Sequence, residues 1–592
     1  MPISDSSGLQ PAPGQRPRPR RILVAGLAAA GLLAAAGCDL AGATSAPEAP
    51  KPGGTVFVYM QANFDILDPQ RTYSAVEMNA LRLLNRTLTT YRSVPGQAGS
   101  EIVGDLATDI GRPSEGNTVW EFTLKPNLKW EDGSPVTCSQ VKYGIERRFA
   151  DIMDEGAHYP IDYLKPNATH YEGPYLGGNN DGKGLESIKC DDERNIRFEL
   201  QKPVGDFGYT VALSTFAPVP PEKDTKEKYA KGPFSNGPYK IESWTDESLT
   251  MVRNQWWNPA TDQVRKAYPD KIVFKFEADD NGIVTNQLIE DQGDARNSLV
   301  LDANISPNFL QQVVNDPDLL KRTISGPTSA VRYMAINTSV IKDQACREAL
   351  IYAFNKRKWR AVNGGSVTGD YATTMIPPEV RSYKKFDVFD SIANPEGNPA
   401  KTQQILAERA KAKQPCKSKI KVAFPDTALR RRLMTTVVEA YQRVGIEVQL
   451  VPLDRSTYYN TGAGDPTNDY DMMLVGWIPD WANGSAILPP IFRSSVIPTV
   501  SPVTGHAAGN VNMSMLRSAK IDEQMEAALA ETVPERQWAL WGDIDMQIQQ
   551  LAVTIPILYE KAISMEGSNV RGGFIHPAFG MPDLCALGLA QP

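Results

Sequence analysis

The chain has 592 residues, 41% of them hydrophobic, and a formal charge of −7. An acidic balance argues against nucleic acid and against electrostatic binding to anionic lipid, and the length exceeds one ordinary core, so two or more lobes are expected. Four histidines and six cysteines form no CxxC and no Cys/His cluster, so no zinc site of known spacing, other metal site or cofactor motif is expected.

Arg16, Arg18, Arg20 and Arg21 precede an apolar segment from Ile22 to Gly37, which closes on Ala34-Ala35-Ala36-Gly37-Cys38. A basic stretch, an apolar stretch and small residues at the cut form the plan of an export signal. A cysteine directly after the small residues resembles a bacterial lipobox, in which the thiol is acylated and heads the mature protein. The alternative is an ordinary signal peptide with a chance cysteine. Sixteen apolar residues fall short of the ~20 that span a bilayer. Arg20-Arg21 also fits twin-arginine export. Removing 1–37, with four arginines and one aspartate, takes the charge from −7 to −10. Residues 38–52, rich in Ala, Pro, Gly and Ser, read as a flexible tether.

Beyond the tether, 55–59 reads as the first strand. Met78, Leu81, Leu84 and Leu88 stand at helical spacing over 77–88. A strand is expected at 119–124, a turn at Asp132-Gly133, and a helix capped by Thr137 running to Phe149. Residues 151–183, dense in Tyr, Gly, Pro and Asn, read as a long surface excursion. Strands follow at 195–200, at 239–244 paired with 248–253 as a hairpin, at 271–276 and at 331–337. Residues 346–360 and 402–411 read as helices. Strand 419–424, helix 428–444 and strand 446–451 make a βαβ unit, which favours a parallel sheet. Strand 471–475, a largely helical 521–551 and strand 554–559 complete the chain. No repeat is apparent.

Several segments, in order along nearly the whole mature chain, resemble the large extracytoplasmic solute-binding proteins of ABC importers, in the oligopeptide- and dipeptide-binding branch called solute-binding family 5. They are Gly53-Gly54-Thr55, Leu67-Asp68-Pro69, Trp120-Glu-Phe-Thr-Leu-Lys125 and Lys129-Trp130-Glu-Asp-Gly-Ser-Pro-Val136. Then come Ser235-Asn-Gly-Pro-Tyr239, Arg253-Asn254 with Trp256-Trp257, Cys346-Arg-Glu-Ala-Leu-Ile-Tyr-Ala353, and Asp471-Met-Met-Leu-Val-Gly-Trp477-Ile-Pro-Asp480-Trp481. The resemblance implies a two-lobed α/β periplasmic-binding-protein-like fold of class II type, closing like a jaw. It places one part of the first lobe at 53–85, 210–326 and 551–592, an extra subdomain at 86–209, and the second lobe at 327–550. Cys138 and Cys190 then share a subdomain, and Cys346 and Cys416 share a lobe, which implies two intradomain disulfides and leaves Cys585 as a buried thiol. Trp256-Trp257 matches a segment used in the family for packing.

The resemblance also implies a site. In peptide-binding members the aspartate of the Gly-Trp-x-x-Asp motif, here Asp480, pairs with the ligand's α-ammonium, since closure excludes water and a buried ammonium needs a carboxylate. Trp477 and Trp481 beside it are expected to wall the pocket. The backbone at Tyr73, Ser74 and Ala75 is expected to pair with an extended peptide, and Tyr333 and Asn337 to face the cleft. The function implied is a monomeric, lipid-anchored receptor outside the membrane that hands peptides to ABC importer permease subunits. An oligosaccharide, or a metal chelate or haem, is the alternative ligand. A secreted hydrolase is the third reading, but no G-x-S-x-G elbow or metal motif supports an enzyme.

Overall fold

The computed structural model describes residues 49–592 apart from 154–155, 169, 176–183, 277–280, 455–457, 459–462, 464, 466 and 498–511. The export segment, Cys38 and most of the tether lie outside the described residues. The fold is the expected two-lobed α/β arrangement, built on three main sheets.

The first sheet is centred on Thr55–Tyr59, which lies parallel to Lys271–Lys275 on one side and Ser298–Val300 on the other. The hairpin Tyr239–Trp244 and Ser248–Arg253 extends it antiparallel. Alternation in Thr55–Tyr59 sends Val56 and Val58 into a core shared with Tyr239 and Phe274. Helix Ala75–Leu84 adds Leu81, Leu83 and Leu84 to that core. The helix ends four residues earlier than its apolar spacing suggests. The Asn85 side chain donates to Phe234 O, and Asn236 Oδ1 accepts from the Arg86 N–H, so the backbone leaves the helix while Leu88 stays buried.

A second, four-stranded sheet runs in the order Arg112–Ser114, Val119–Thr123, Asn195–Glu199, Ile188–Cys190. Helix Cys138–Arg147 starts where Gln140 Oε1 accepts the Thr137 N–H. The tyrosine-rich segment that follows is not all surface: Met153, Ala157, Tyr163 and Tyr171 are buried.

The third sheet has six strands, ordered Gly369–Tyr371, Thr554–Met565, Thr323–Ile336, Met472–Trp477, Lys419–Pro425, Glu447–Leu453. Helix Ala428–Gln442 connects the last two in parallel, forming the βαβ unit. The strands expected at 331–337 and 554–559 are longer than read, at 14 and 12 residues. They run antiparallel, with register shifts between Pro327 and Val331 and between Arg332 and Tyr333. Their outer halves, such as Thr323-Ile-Ser-Gly-Pro327, lack the apolar alternation that marks a strand.

Two expected helices are each divided. Gln344–Ala353 stops before Asn355, whose side chain accepts from the Lys358 N–H to start Lys356–Val362. Ala519–Ala530 stops before Pro534, which opens Pro534–Gln550 because proline has no N–H to give. Trp256 departs from the packing role: it is 40% exposed under the Lys129 ammonium, which sits 4.8 Å from its ring centre.

The structure contains the disulfides Cys138–Cys190 and Cys346–Cys416, while Cys585 is a buried free thiol pushed up to about 12 by burial. The bonds span 52 and 70 residues of sequence. Closing loops of that length restricts the unfolded chain, so replacing either pair by serine should cost about 2–4 kcal/mol. Urea unfolding of the two variants measures the loss. Peptide mapping without reductant should recover these two pairs and no bond to Cys585.

Candidate functional site

Strand Met472–Trp477 carries the motif to its end. Gly476 faces Arg332 across the ladder, and a Cβ there would fall 2.3 Å from the guanidinium. Glycine therefore lets Arg332 reach Glu560, which it meets through two bonds of 2.8 and 3.1 Å. After Trp477 the chain exposes Ile478 and turns at Pro479, which brings Asp480 to the wall of a cavity of about 250 Å³.

Asp480 is half-buried. Tyr73 donates its hydroxyl to Oδ1 at 2.8 Å, and Tyr159 donates to Oδ2. Among the described residues no lysine or arginine pairs with it. Burial raises the pKa of the Asp480 carboxyl above the ordinary aspartate value, and the two tyrosine bonds oppose that rise. Burial, and then the Asp480 charge, raise both phenols in turn, so they remain donors.

Met78, Leu81, Leu213 and Phe579 give the cavity an apolar side, and Thr87, Thr90, Tyr91, Ser214, Arg82, Asn85 and Arg265 are its polar lining. Behind it lies a buried ionic network. Arg82 meets Asp583 at 2.7 Å, Arg86 meets Asp105 at 2.7 Å, and Arg265 meets Asp105 at 2.8 Å and Asp262 at 3.0 Å. Three arginines face three aspartates. Burial opposes the ionised form of Asp262, but Arg265 and Arg86 hold it below the usual carboxylate range. His576, buried and close to Arg82, is lowered to about 3 and is neutral.

A second cavity, of about 390 Å³, follows the same two stretches of chain. Ala75 and Phe579 line the first cavity; Val76 and Gly580 line the second. The second is polar, with Arg332, Arg430, Lys561, Glu560 and Asp302 in its wall.

Of the residues singled out from sequence, the first cavity brings together Asp480, Tyr73 and Ala75. Ser74 is exposed at the start of the helix and does not line the cavity. Trp481 is fully buried rather than at the wall: its indole N–H donates to Asp206 Oδ2 and Ser485 Oγ, both at 2.9 Å, and Tyr159 packs on it at 4.7 Å between ring centres. Trp477 is partly buried in the same core, donating to Ala486 O at 2.8 Å. Tyr333 is buried opposite Val475. Asn337 is a buried turn residue whose Oδ1 accepts from the Ser339 N–H at 3.0 Å. Neither lines the cavity. Tyr159, Arg82, Asn85 and Arg265 were not singled out. The tyrosine density of 151–183 was the one signal for Tyr159; nothing local marks the other three.

Trp481 belongs to a clasp between distant parts of the chain. The Asp206 carboxylate is buried with no cation paired to it among the described residues, and burial raises its pKa. It accepts from Trp481, from Asn483 Nδ2 at 3.0 Å and from Ser485 Oγ; Asn483 also donates to Gln537 at 2.9 Å. Beside it the Gly205 N–H donates to Leu529 O at 2.8 Å.

Residues 101–498 match the family model described as bacterial extracellular solute-binding proteins, family 5 Middle. The chain is 21% identical over 549 residues to the glutathione-binding protein GsiB of Salmonella typhi, covering 89% of this chain and 93% of that one. Among solved structures it is similar to a clavulanic acid biosynthesis oligopeptide binding protein 2, with a TM-score of 0.82 and 29% identity, covering 91% and 96% of the two chains. The Escherichia coli murein tripeptide binding protein MppA shares the fold at a TM-score of 0.63 and 18% identity, covering 92% and 99%.

Replacing Asp206 by alanine removes the acceptor of three buried donors. Stranded buried donors are costly, so the variant should lose about 1–3 kcal/mol. A urea midpoint equal to that of the parent would show that the donors find other acceptors.

Proposed function

We propose that this chain, which belongs to the family 5 bacterial extracellular solute-binding proteins, captures peptides in the cleft between its lobes and delivers them to the permease subunits of an ABC importer. It is a solute-binding protein and not an enzyme. The observation that carries the peptide reading is Asp480: a half-buried carboxylate on a cavity wall whose partners are two neutral hydroxyls. A ligand ammonium supplies the missing positive charge, so that a full opposite charge, which neither phenol carries, meets the carboxylate.

The second cavity supports the same reading. A zwitterionic peptide with its ammonium at Asp480 would run along 73–76 and 578–580 toward a wall where Arg332 is shared with Glu560 and Lys561 with Asp370. The similar proteins are described as binding glutathione, oligopeptides and a murein tripeptide. In this reading residues 53–85, 210–326 and 551–592 form one part of the first lobe, 86–209 its extra subdomain, and 327–550 the second lobe. The boundary at 326/327 falls at the register shift in the crossing strands, where Ser329 takes a left-handed φ of 53°. Acylation of Cys38 would hold the receptor at the outer face of the membrane, because several acyl chains anchor firmly where one does not.

Breaking a buried ion pair costs about 3–5 kcal/mol, so Asp480→Asn should weaken peptide binding by more than roughly 100-fold. N-acetylation of the peptide should do the same to the parent protein. Calorimetry with free and acetylated peptides decides; an acetylated peptide or an uncharged sugar that binds as well as free peptide overturns the role of Asp480.

The pH dependence has a definite sign. The ammonium requires ionised Asp480, and burial raises its pKa. Affinity should therefore fall on acidification, and begin to fall at a higher pH than for an ordinary aspartate. The Asp480→Asn variant should lack this dependence in the same calorimetric series. For the anchor, Cys38→Ser should release the protein from membranes, which fractionation reads directly.

A further inference from the structure

Asp480 is aimed by residues that no ligand touches. It stands on a turn after the strand that ends at Trp477, with Ile478 exposed beside it. Of its two phenol partners, Tyr73 is 50% exposed and so is a loose tether. Tyr159, on the short helix Tyr159–Tyr163, is the better covered one, and its hydroxyl meets Oδ2. Whatever fixes Tyr159 therefore fixes the direction of the carboxylate.

Trp481 fixes it. The two rings meet edge to face, 4.7 Å between centres and 65° between planes, a geometry that aromatic pairs favour. Trp481 is buried, and its indole N–H is shared between Asp206 Oδ2 and Ser485 Oγ, both at 2.9 Å. Ser485 Oγ donates to the same Asp206 oxygen, and Asn483 Nδ2 reaches it at 3.0 Å. One carboxylate oxygen thus gathers three side chains from the stretch 481–485 that directly follows Asp480.

That oxygen is hard to replace. Asn483 has a second partner in Gln537 at 2.9 Å, but Gln537 does not reach the indole. A buried donor that loses its acceptor is stranded at a cost, so the three donors stay where Asp206 holds them. Asp206 itself lines neither of the two cavities. Its influence on a ligand passes through its neighbours. A carboxylate already held in direction loses less freedom on meeting an ammonium, and that saving appears as affinity.

We propose that Asp206 is a positioning residue of the ligand site: it holds the Trp481 indole, Trp481 holds the Tyr159 ring, and the Tyr159 hydroxyl aims Asp480. The inference rests on the reading that Asp480 takes a ligand ammonium. In the lobe assignment proposed above, Tyr159 and Asp206 belong to the extra subdomain, and 480–485 to the second lobe. The carboxylate is then aimed only where those two parts meet.

The test is calorimetry of the mature chain with Ala-Ala-Ala and N-acetyl-Ala-Ala-Ala. The readout is the ratio of the two affinities. It reports how well Asp480 meets the ammonium, and a change that weakens both peptides alike leaves it unmoved. Asp206→Ala should lower the ratio roughly tenfold or more, within the range found for side chains coupled through contact. Tyr159→Phe, which keeps the ring on Trp481 and removes only the hydroxyl, should lower it by a similar factor. The double variant should lose no more than the larger single loss, because Asp206 acts through that hydroxyl. A ratio unchanged in Asp206→Ala, with the urea midpoint lowered, shows a role in stability alone and overturns the inference. Losses that multiply in the double variant overturn it, and so does a ratio that rises in Tyr159→Phe, which would show the phenol competing with the ammonium. A parent that binds both peptides equally, or neither, removes the Asp480 reading and this inference with it. If Asp206→Ala does not fold, Trp481→Phe takes its place, since it cuts the tether to Asp206 and keeps a ring; an unchanged ratio there overturns the inference.

Discussion

The antiparallel pair Thr323–Ile336 and Thr554–Met565 is the constraint on which the architecture hangs. The chain between them, from 337 to 553, supplies the rest of the six-stranded sheet and its helices apart from the strand-to-strand ladder itself. The pair is shifted in register twice near its middle, between Pro327 and Val331 and again between Arg332 and Tyr333. A proline cannot donate to the ladder and a left-handed Ser329 cannot lie flat in it. The same stretch borders the second cavity through Thr328, Arg332 and Glu560. A bend at the shift would therefore move the wall of the cleft directly.

Carboxylates are buried here in two ways, and the difference separates structure from site. Asp105, Asp262 and Asp583 face arginines, and the resulting network holds together residues from 82 to 583. Asp206 and Asp480 face no cation among the described residues, and burial raises both. Asp206 compensates with three donors and is sealed by Trp481 and Asn483. Asp480 has only two phenols, one of them on the half-exposed Tyr73. Asp480 borders a cavity, so a positive ligand has room there to bring an opposite charge to the carboxylate.

Periodicity made much of the fold legible. Val56 and Val58 alternate into the core, and the order of 419–453 announces a parallel βαβ unit, because both signals are local. Breaks were harder. Asn355 and Pro534 divide runs whose apolar spacing continues across them, and only the caps reveal the division. The crossing strands were read at half length, since a strand covered by its partner rather than by alternation of its own leaves little pattern. At the site, the motif around Asp480 was visible and its surroundings were not. Trp477 and Trp481 stand three residues before and one residue after Asp480, and nearness in sequence to Asp480 says nothing about which face an indole takes. Tyr159, 321 residues from Asp480, reaches it only through the tertiary fold.

The charges along the cleft are unequal in what they ask of a ligand. In the peptide reading Asp480 would meet the ligand's ammonium with no cation of its own among the described residues, whereas in the second cavity Arg332 already pairs with Glu560 and Lys561 with Asp370. The stretch 73–76 that joins the two cavities is a helix start, where backbone groups are available and side-chain identity matters little. A peptide held there would be read at its amino end by charge and along its middle by backbone, which favours breadth.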